Sequence, residues 1–165
     1  MFTLKPIDPA AIPAALQKAE RYRLLNEPEE AESICLDVLA VDPDNQQAVT
    51  TLLLALTDQF HHKQGACCCR AGELVPRLAG EYERCYYSGL ILERRASAHL
   101  DHARPGAGDG AFEYLTEAME WYEKAEALRP PHNDDAILRW NTCARLIRKY
   151  DLKPRPPGDE PLLLE

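Results

Sequence analysis

The chain has 165 residues, enough for one domain with a buried core, and its 45% hydrophobic and 28% charged residues are ordinary for a globular protein. A net charge of −8 and a pI of about 5.2 count against nucleic-acid binding, which calls for a basic face. No apolar run approaches the ~20 residues that span a bilayer, and the start, MFTLKPIDPAAIPAAL, lacks a signal-peptide pattern, so we expect neither membrane insertion nor a cleavable signal.

A regular pair of helices is predicted over residues 12–45, after an N-terminal extension, 1–11. The first helix covers about 12–25, where alanine and tyrosine recur at helical spacing until an asparagine breaks the pattern. The second covers about 28–41, with proline at its first position and glutamates that complement the helix dipole. The sequence DPDN at 42–45 predicts a turn that closes the unit.

The next pair is less regular. A third helix is predicted over about 46–60, with apolar residues at helical spacing. The sequence HHKQG at 61–65 reads as a turn that ends on glycine. A fourth helix is then predicted from 66 to about 78, and Pro76 should end or kink it.

A longer third pair and a final helix complete the predicted elements. The fifth helix spans about 81–102 and is followed by a glycine-rich insertion, RPGAGDG, at 104–110. The sixth helix spans about 111–128. The seventh spans about 133–150, with acidic residues at its start and basic residues near its end, as the helix dipole favours.

Small and aromatic residues recur where two helices of a pair would pack closely. They are Ala19, Tyr22, Ala31 and Pro43 in the first pair, and Gly89, Ala118, Ala125 and Pro130 in the third. With a unit of about 34 residues, residues 12–150 resemble the tetratricopeptide repeat (TPR) family. The resemblance implies an all-α fold, a TPR-like α-solenoid of about three helix pairs plus a C-terminal capping helix. Gly89 lies in mid-helix, where a close helix–helix approach would explain it.

In the TPR family the first helix of each pair lines a concave groove that binds peptide segments. The corresponding residues are Gln47, Thr50, Thr51, Leu54 and Asp58 in the third helix, Tyr86, Tyr87, Leu90, Glu93 and Arg94 in the fifth, and Leu138, Arg139, Thr142 and Arg145 in the seventh. Chaperone-binding members hold a peptide carboxylate with lysines and asparagines at such places. Here threonine, leucine, tyrosine and arginine occupy them, and a groove of tyrosine, leucine and arginine suits an amphipathic or extended peptide instead.

These residues predict a module for protein–protein interaction and not an enzyme. Tyrosine and arginine are enriched at binding hot spots. The expected anchors are Tyr86, Tyr87, Leu90 and Arg94, with Arg139 and Arg145 meeting acidic groups of the partner. No Ser/His/Asp or Cys/His set has catalytic spacing, and helix capping explains the paired carboxylates.

The C-terminal tail motivates a second hypothesis. Residues 151–165 are rich in proline and are predicted to be extended. They end with Leu162, Leu163 and Leu164, an apolar trio that could dock onto another surface. The chain would then be a constitutive subunit of a larger assembly or a homo-oligomer.

A third hypothesis, a metal site or thiol sensor, comes from a cluster of histidines and cysteines. The cluster comprises His61, His62, Cys67, Cys68 and Cys69. Adjacent helical residues point about 100° apart, so three neighbouring thiolates converge poorly on zinc, and small residues at a helix start are the simpler interpretation. We therefore expect no cofactor. Free thiols suit a reducing compartment, so we expect a cytoplasmic protein.

Overall fold

The computed structural model describes residues 2–101 and 107–154, and it gives only the backbone for residues 63, 64 and 107–109. All regular structure in these residues is helical, as predicted, and short 3-10 turns lie at Pro9–Ala11 and Val75–Arg77. The α-helices are α1 Ile12–Leu24, α2 Pro28–Val41, α3 Gln46–Asp58, α4 Phe60–Leu74, α5 Glu81–Asp101, α6 Ala107–Leu128 and α7 Asp135–Lys149.

The first pair follows the prediction closely. Asn26 adopts a left-handed φ of 61°, which asparagine tolerates, and so separates α1 from α2. After the turn at 42–45, the side chain of Asn45 caps α3 by accepting a hydrogen bond from the Ala48 N–H at 2.9 Å. Local residue chemistry therefore determines both boundaries.

The turn predicted at 61–65 is wrong, because these residues lie inside α4, and α3 and α4 are joined at Gln59 alone. A single helical glycine costs only about 1 kcal/mol. That cost is offset here because Phe60, Cys67 and Ala71 form a buried stripe along the whole of α4. Pro76 falls just after the helix, within the 3-10 turn, as its lack of an N–H group predicts.

The insertion predicted at 104–110 is also wrong in part. Residues 107–110 belong to α6, which begins before the predicted 111, while residues 104–106 lie outside the described residues. Ala111 is fully buried one turn into the helix, and such packing supports a helical start through a glycine-rich stretch.

Helices that follow one another pack together throughout the described chain, from α1 on α2 to α6 on α7. Alternate helices also touch: α3 contacts both α1 and α5, and α5 contacts α7. The odd-numbered helices therefore lie side by side in chain order, with α3 between α1 and α5.

Two large apolar clusters form the core. The first cluster is formed by buried residues of the four helices α1, α2, α3 and α4 together with Ile91 and Ala98 of α5. The second is formed by Cys85 and Ala96 of α5 together with buried residues of α6 and α7. A smaller cluster around Leu16 packs α1 on α2 and α3. Helix α5 contributes to both large clusters and is the element that they share.

The close helix approach expected at Gly89 is confirmed. A Cβ atom at Gly89 would lie 2.8 Å from Cε1 of Tyr122 and 3.1 Å from the Ala118 carbonyl oxygen. Tyr122 is fully buried, so its ring has no room to retreat. Glycine is therefore required for α5 and α6 to pack at this distance.

Two buried thiols predict alkaline destabilisation. Burial raises the pKa of Cys35 and of Cys143 from about 9 to about 12. Above pH 9 the unfolded chain loses these protons while the folded chain keeps them, so stability falls as pH rises from 9 towards 12. We expect each thiol to lower the stability by roughly 1.4 kcal/mol in total between pH 8 and pH 10, measured by urea unfolding, because the full slope of about 1.4 kcal/mol per pH unit is reached only above pH 9.

The control for this prediction is the exposed Cys69. Cys69→Ala should leave the slope of stability against pH unchanged, whereas Cys35→Ala with Cys143→Ala should flatten it. An equal slope in both variants would assign the effect to other groups.

Candidate functional site

An open cleft of about 500 Å³ lies over α3, between α1 and the start of α5. We call it the α3 cleft. It is lined by Glu20, Arg23, Gln46, Gln47, Thr50, Thr51, Leu54, Leu78, Ala79, Gly80 and Glu83. Four residues predicted for a groove, Gln47, Thr50, Thr51 and Leu54, therefore line one cleft. Thr51 is only 4% exposed, so it adds little accessible surface to the cleft.

The wall of the α3 cleft between α4 and α5 is held by hydrogen bonds. Gln46 accepts from the Ala79 N–H at 2.8 Å and donates to the Arg77 carbonyl at 3.2 Å. Arg84 donates to the carbonyls of Leu78 and Ala79 at 2.7 and 2.9 Å. The linker before α5 is thus fixed before any ligand arrives.

Charged side chains border the cleft on both flanking helices, with Glu20 and Arg23 on α1 and Glu83 on α5. Glu20 of α1 accepts a hydrogen bond from the Gln47 side-chain amide at 3.0 Å. Arg23 of α1 donates from Nε to Asp58 Oδ2 at 2.8 Å, within an ion pair whose two side chains are each 20% exposed. The cleft can therefore hold an extended segment by hydrogen bonds and charge.

Three predicted anchors on α5 are engaged within the protein to different degrees. Leu90 is 1% exposed, so we withdraw it from the groove. Arg94 extends towards Asp58, 3.9 Å from Nη2 to Oδ1, and its buried Nε has no hydrogen-bond partner among the described residues. Tyr87 is half-buried against the N-terminal apolar cluster, and this burial raises the pKa of its hydroxyl to about 12.

Glu93, another predicted lining residue, is buried at the centre of a polar network that links α5, α6 and α7. Its Oε2 accepts from the Tyr122 hydroxyl at 2.7 Å, and its Oε1 accepts from Arg139 Nη1 at 3.1 Å. We call these three residues the Glu93 network. Glu93 is buried and holds Arg139, whose side chain is 34% exposed, so we withdraw both from the groove.

Tyr86 belongs to an aromatic cluster beside the Glu93 network. Its ring stacks on Tyr82 at 5.9 Å between centroids, meets Tyr87 edge-on at 5.1 Å and tilts against Tyr122 at 5.8 Å. Packing of this kind stabilises the α5–α6 contact. Tyr86 consequently has a structural role that the sequence pattern did not indicate.

The predicted lining residues on α7 are more accessible. Leu138 is 60% exposed and Arg145 is exposed, while the Thr142 hydroxyl donates to the Leu138 carbonyl of its own helix at 2.9 Å. These residues lie on the side of α7 away from the buried Ala136 and Cys143. None of them lines the α3 cleft.

Sequence reasoning missed an acidic pocket of about 840 Å³ at the ends of several helices. It is lined by Asn26, Glu27, Pro28, Glu29, Glu30, Asp58, Gln59, His61, His62 and Asp101. Within it, His61 Nδ1 lies 2.9 Å from Asp101 Oδ2. The carboxylates come from three separate parts of the chain, so no local pattern could reveal the pocket.

The histidine–cysteine cluster lies along α4. Cys67 is buried, Cys68 is half-buried and Cys69 is exposed, and His61 pairs with Asp101. Among the described residues, no group of three or more His, Cys, Asp or Glu side chains is placed to hold a metal. All six cysteines of the chain are described, and none forms a disulfide.

Two other expectations concern the tail and the membrane. Leu162, Leu163 and Leu164 lie outside the described residues. Every helix in the described ranges, 2–101 and 107–154, is too short or too polar to cross a bilayer.

Comparison with family models finds no match for this chain, and searches of curated proteins and of solved structures find no similar protein.

Proposed function

We propose that the chain is a TPR-like α-solenoid that binds a peptide segment of a partner protein in the α3 cleft, and that it works in the cytoplasm, where its six cysteines stay reduced. The side-by-side order of α1, α3, α5 and α7 supports the solenoid, because stacked helix pairs bring their first helices together. The observation that carries the binding role is the open cleft over α3.

The α3 cleft is suited to an extended chain. Thr50 and Gln47 offer hydrogen-bonding groups to a peptide backbone, and Leu54 offers an apolar contact beside them. The hydrogen bonds of Gln46 and Arg84 fix the wall in advance. A preformed site lowers the ordering cost of binding.

The proposed site is smaller than the groove implied by the resemblance. It keeps Gln47, Thr50 and Leu54 on α3 and adds Glu20 and Glu83 from the flanking helices. The proposed activity is binding without catalysis, since these side chains are hydrogen-bonding, acidic and apolar groups that can position a peptide.

Site-specific photo-crosslinking tests this proposal. A photoreactive amino acid at Thr50, inside the cleft, should capture a defined partner in native lysate. The same group at Ser33, exposed on α2, is the matched control and should not. Adding Leu54→Arg should abolish capture at Thr50, because a long charged side chain would fill the cleft. Equal adducts at both positions, or capture that survives Leu54→Arg, would contradict the assignment.

A further inference from the structure

We infer that the α3 cleft selects a peptide segment bearing lysine or arginine side chains next to an apolar residue. This inference rests on the proposed function and adds the chemistry of the partner. It is carried by the charges of the cleft: one carboxylate stands on each helix that flanks α3, while Arg23, which also lines the cleft, is paired with an aspartate.

Glu20 supplies the first carboxylate, on the α1 side. Its Oε1 accepts from the neutral amide of Gln47 at 3.0 Å, which orients the carboxylate without cancelling its charge. The second oxygen remains available to a ligand cation. A carboxylate held in place by one hydrogen bond is a well-placed acceptor for an ammonium or guanidinium group.

Glu83 supplies the second carboxylate, on the α5 side. It lies in the first turn of α5 and its carboxylate sits over Gly80, at the edge of the cleft. Among the described lysines and arginines, none lies within ion-pair distance of Glu83 or of Glu20. The two walls of the cleft are therefore both negative.

Arg23 balances these charges only in part. Its Nε donates to Asp58 Oδ2 at 2.8 Å, and Arg94 Nη2 lies 3.9 Å from Oδ1 of the same carboxylate, so Asp58 is shared by two arginines. Together with Glu20 and Glu83 these groups still leave the cleft with a net negative charge. Between the two glutamates, Leu54 offers the apolar surface of the cleft, with Leu78 beside it and 2% exposed. The cleft thus matches a cationic side chain on each side of an apolar one, and an acidic segment would be repelled.

The test is a nuclear magnetic resonance titration of the full ¹⁵N-labelled chain with two capped peptides of equal length, GKALAKG and GEALAEG. We expect the lysine peptide to shift the backbone amides of Gln47, Thr50 and Leu54, and to bind more weakly when NaCl is raised from about 50 to about 300 mM. Glu20→Gln with Glu83→Gln should weaken its binding about tenfold, because two partly exposed ion pairs are lost. The matched control, Glu113→Gln with Glu117→Gln on the exposed side of α6, should leave binding unchanged.

Every other outcome of the titration contradicts one specific part of the proposal. Binding of the glutamate peptide in the cleft with equal or higher affinity would overturn the charge selection and leave the peptide-binding function standing. Lysine-peptide shifts confined to the acidic pocket around Glu27 and Asp101 would overturn the assignment to the α3 cleft. Cleft amides that respond to neither peptide, although photo-crosslinking at Thr50 captures a partner, would again overturn only the selection of basic segments. Failure of both experiments would overturn the function itself.

Discussion

Arg139→Met should lower the free energy of unfolding by roughly 3 kcal/mol, because it would leave the Glu93 carboxylate buried without its cation. The Glu93 side chain is 5% exposed, and Arg139 Nη1 lies 3.1 Å from its Oε1. The remaining partner, the Tyr122 hydroxyl, donates one hydrogen bond at 2.7 Å but carries no charge. Urea unfolding followed by circular dichroism measures the loss.

Two comparisons separate this effect from the loss of side-chain packing. Arg145→Met, two turns further along α7 and exposed, should change stability by less than about 0.5 kcal/mol. Glu93→Gln should rescue much of the loss in the Arg139→Met background, because glutamine keeps an acceptor for Tyr122 and removes the buried charge. Losses that simply add in the double variant would show that Glu93 and Arg139 are not coupled.

Gly89→Ala should destabilise the protein by up to about 2 kcal/mol, although alanine is the better helix former. The new methyl carbon would lie 2.8 Å from Cε1 of Tyr122, a ring that is itself fully buried. Relieving this overlap requires α5 and α6 to separate, and overpacking of this kind costs about 1–3 kcal/mol, more than the ~1 kcal/mol that helix propensity returns. Thermal unfolding of the variant measures the difference.

Gly72→Ala is the matched control, since Gly72 is also inside a helix but has nothing within 4 Å of the added carbon. This substitution should stabilise the protein by about 0.5–1 kcal/mol. Opposite signs at the two glycines would show that packing, and not propensity, decides the effect at Gly89. A stabilising Gly89→Ala would mean that the α5–α6 approach is looser than the structure shows.

The helices of the first pair could be predicted because the residues that start and end them act locally. Asn26, Pro28 and Asn45 each act within a few residues, through a left-handed backbone, a fixed φ or a capping hydrogen bond. The start of α4 escaped prediction because Gly65 resembles a turn signal, whereas the buried stripe that overrides it is formed by tertiary packing.

The candidate site was predicted on α3 and missed on α5 for one physical reason. One side of α3, beside Thr50 and Leu54, is open. A prediction that assigns one apolar stripe to the core and leaves the opposite side accessible therefore suits this helix. Helix α5 is contacted by α3, α4, α6 and α7, so several of its faces are covered at once. A periodic pattern identifies one buried face, and it therefore left Leu90, Glu93 and Arg94 on a surface that neighbouring helices occupy.

Residues far apart in sequence also decide the charge of the cleft. Glu20 and Glu83 flank α3 only because α1 and α5 both pack against it. Likewise, the hydrogen bond from the Tyr122 hydroxyl to Glu93 depends on the close approach of α5 and α6 at Gly89. Such partnerships arise from the tertiary arrangement, which spacing along one helix does not contain.

The position of α5 has a consequence for cooperativity. Because α5 is the one helix that the two large apolar clusters share among the described residues, the coupling between the N-terminal and C-terminal halves depends on it. In a stack where each helix pair contacts only its neighbours, a local change in stability at one end reaches the other end only through the element that both ends contact. A ligand that touches Glu83 at the start of α5 would therefore raise hydrogen-exchange protection in α6 and α7 as well as beside the cleft, so the far end of the molecule would report on occupancy.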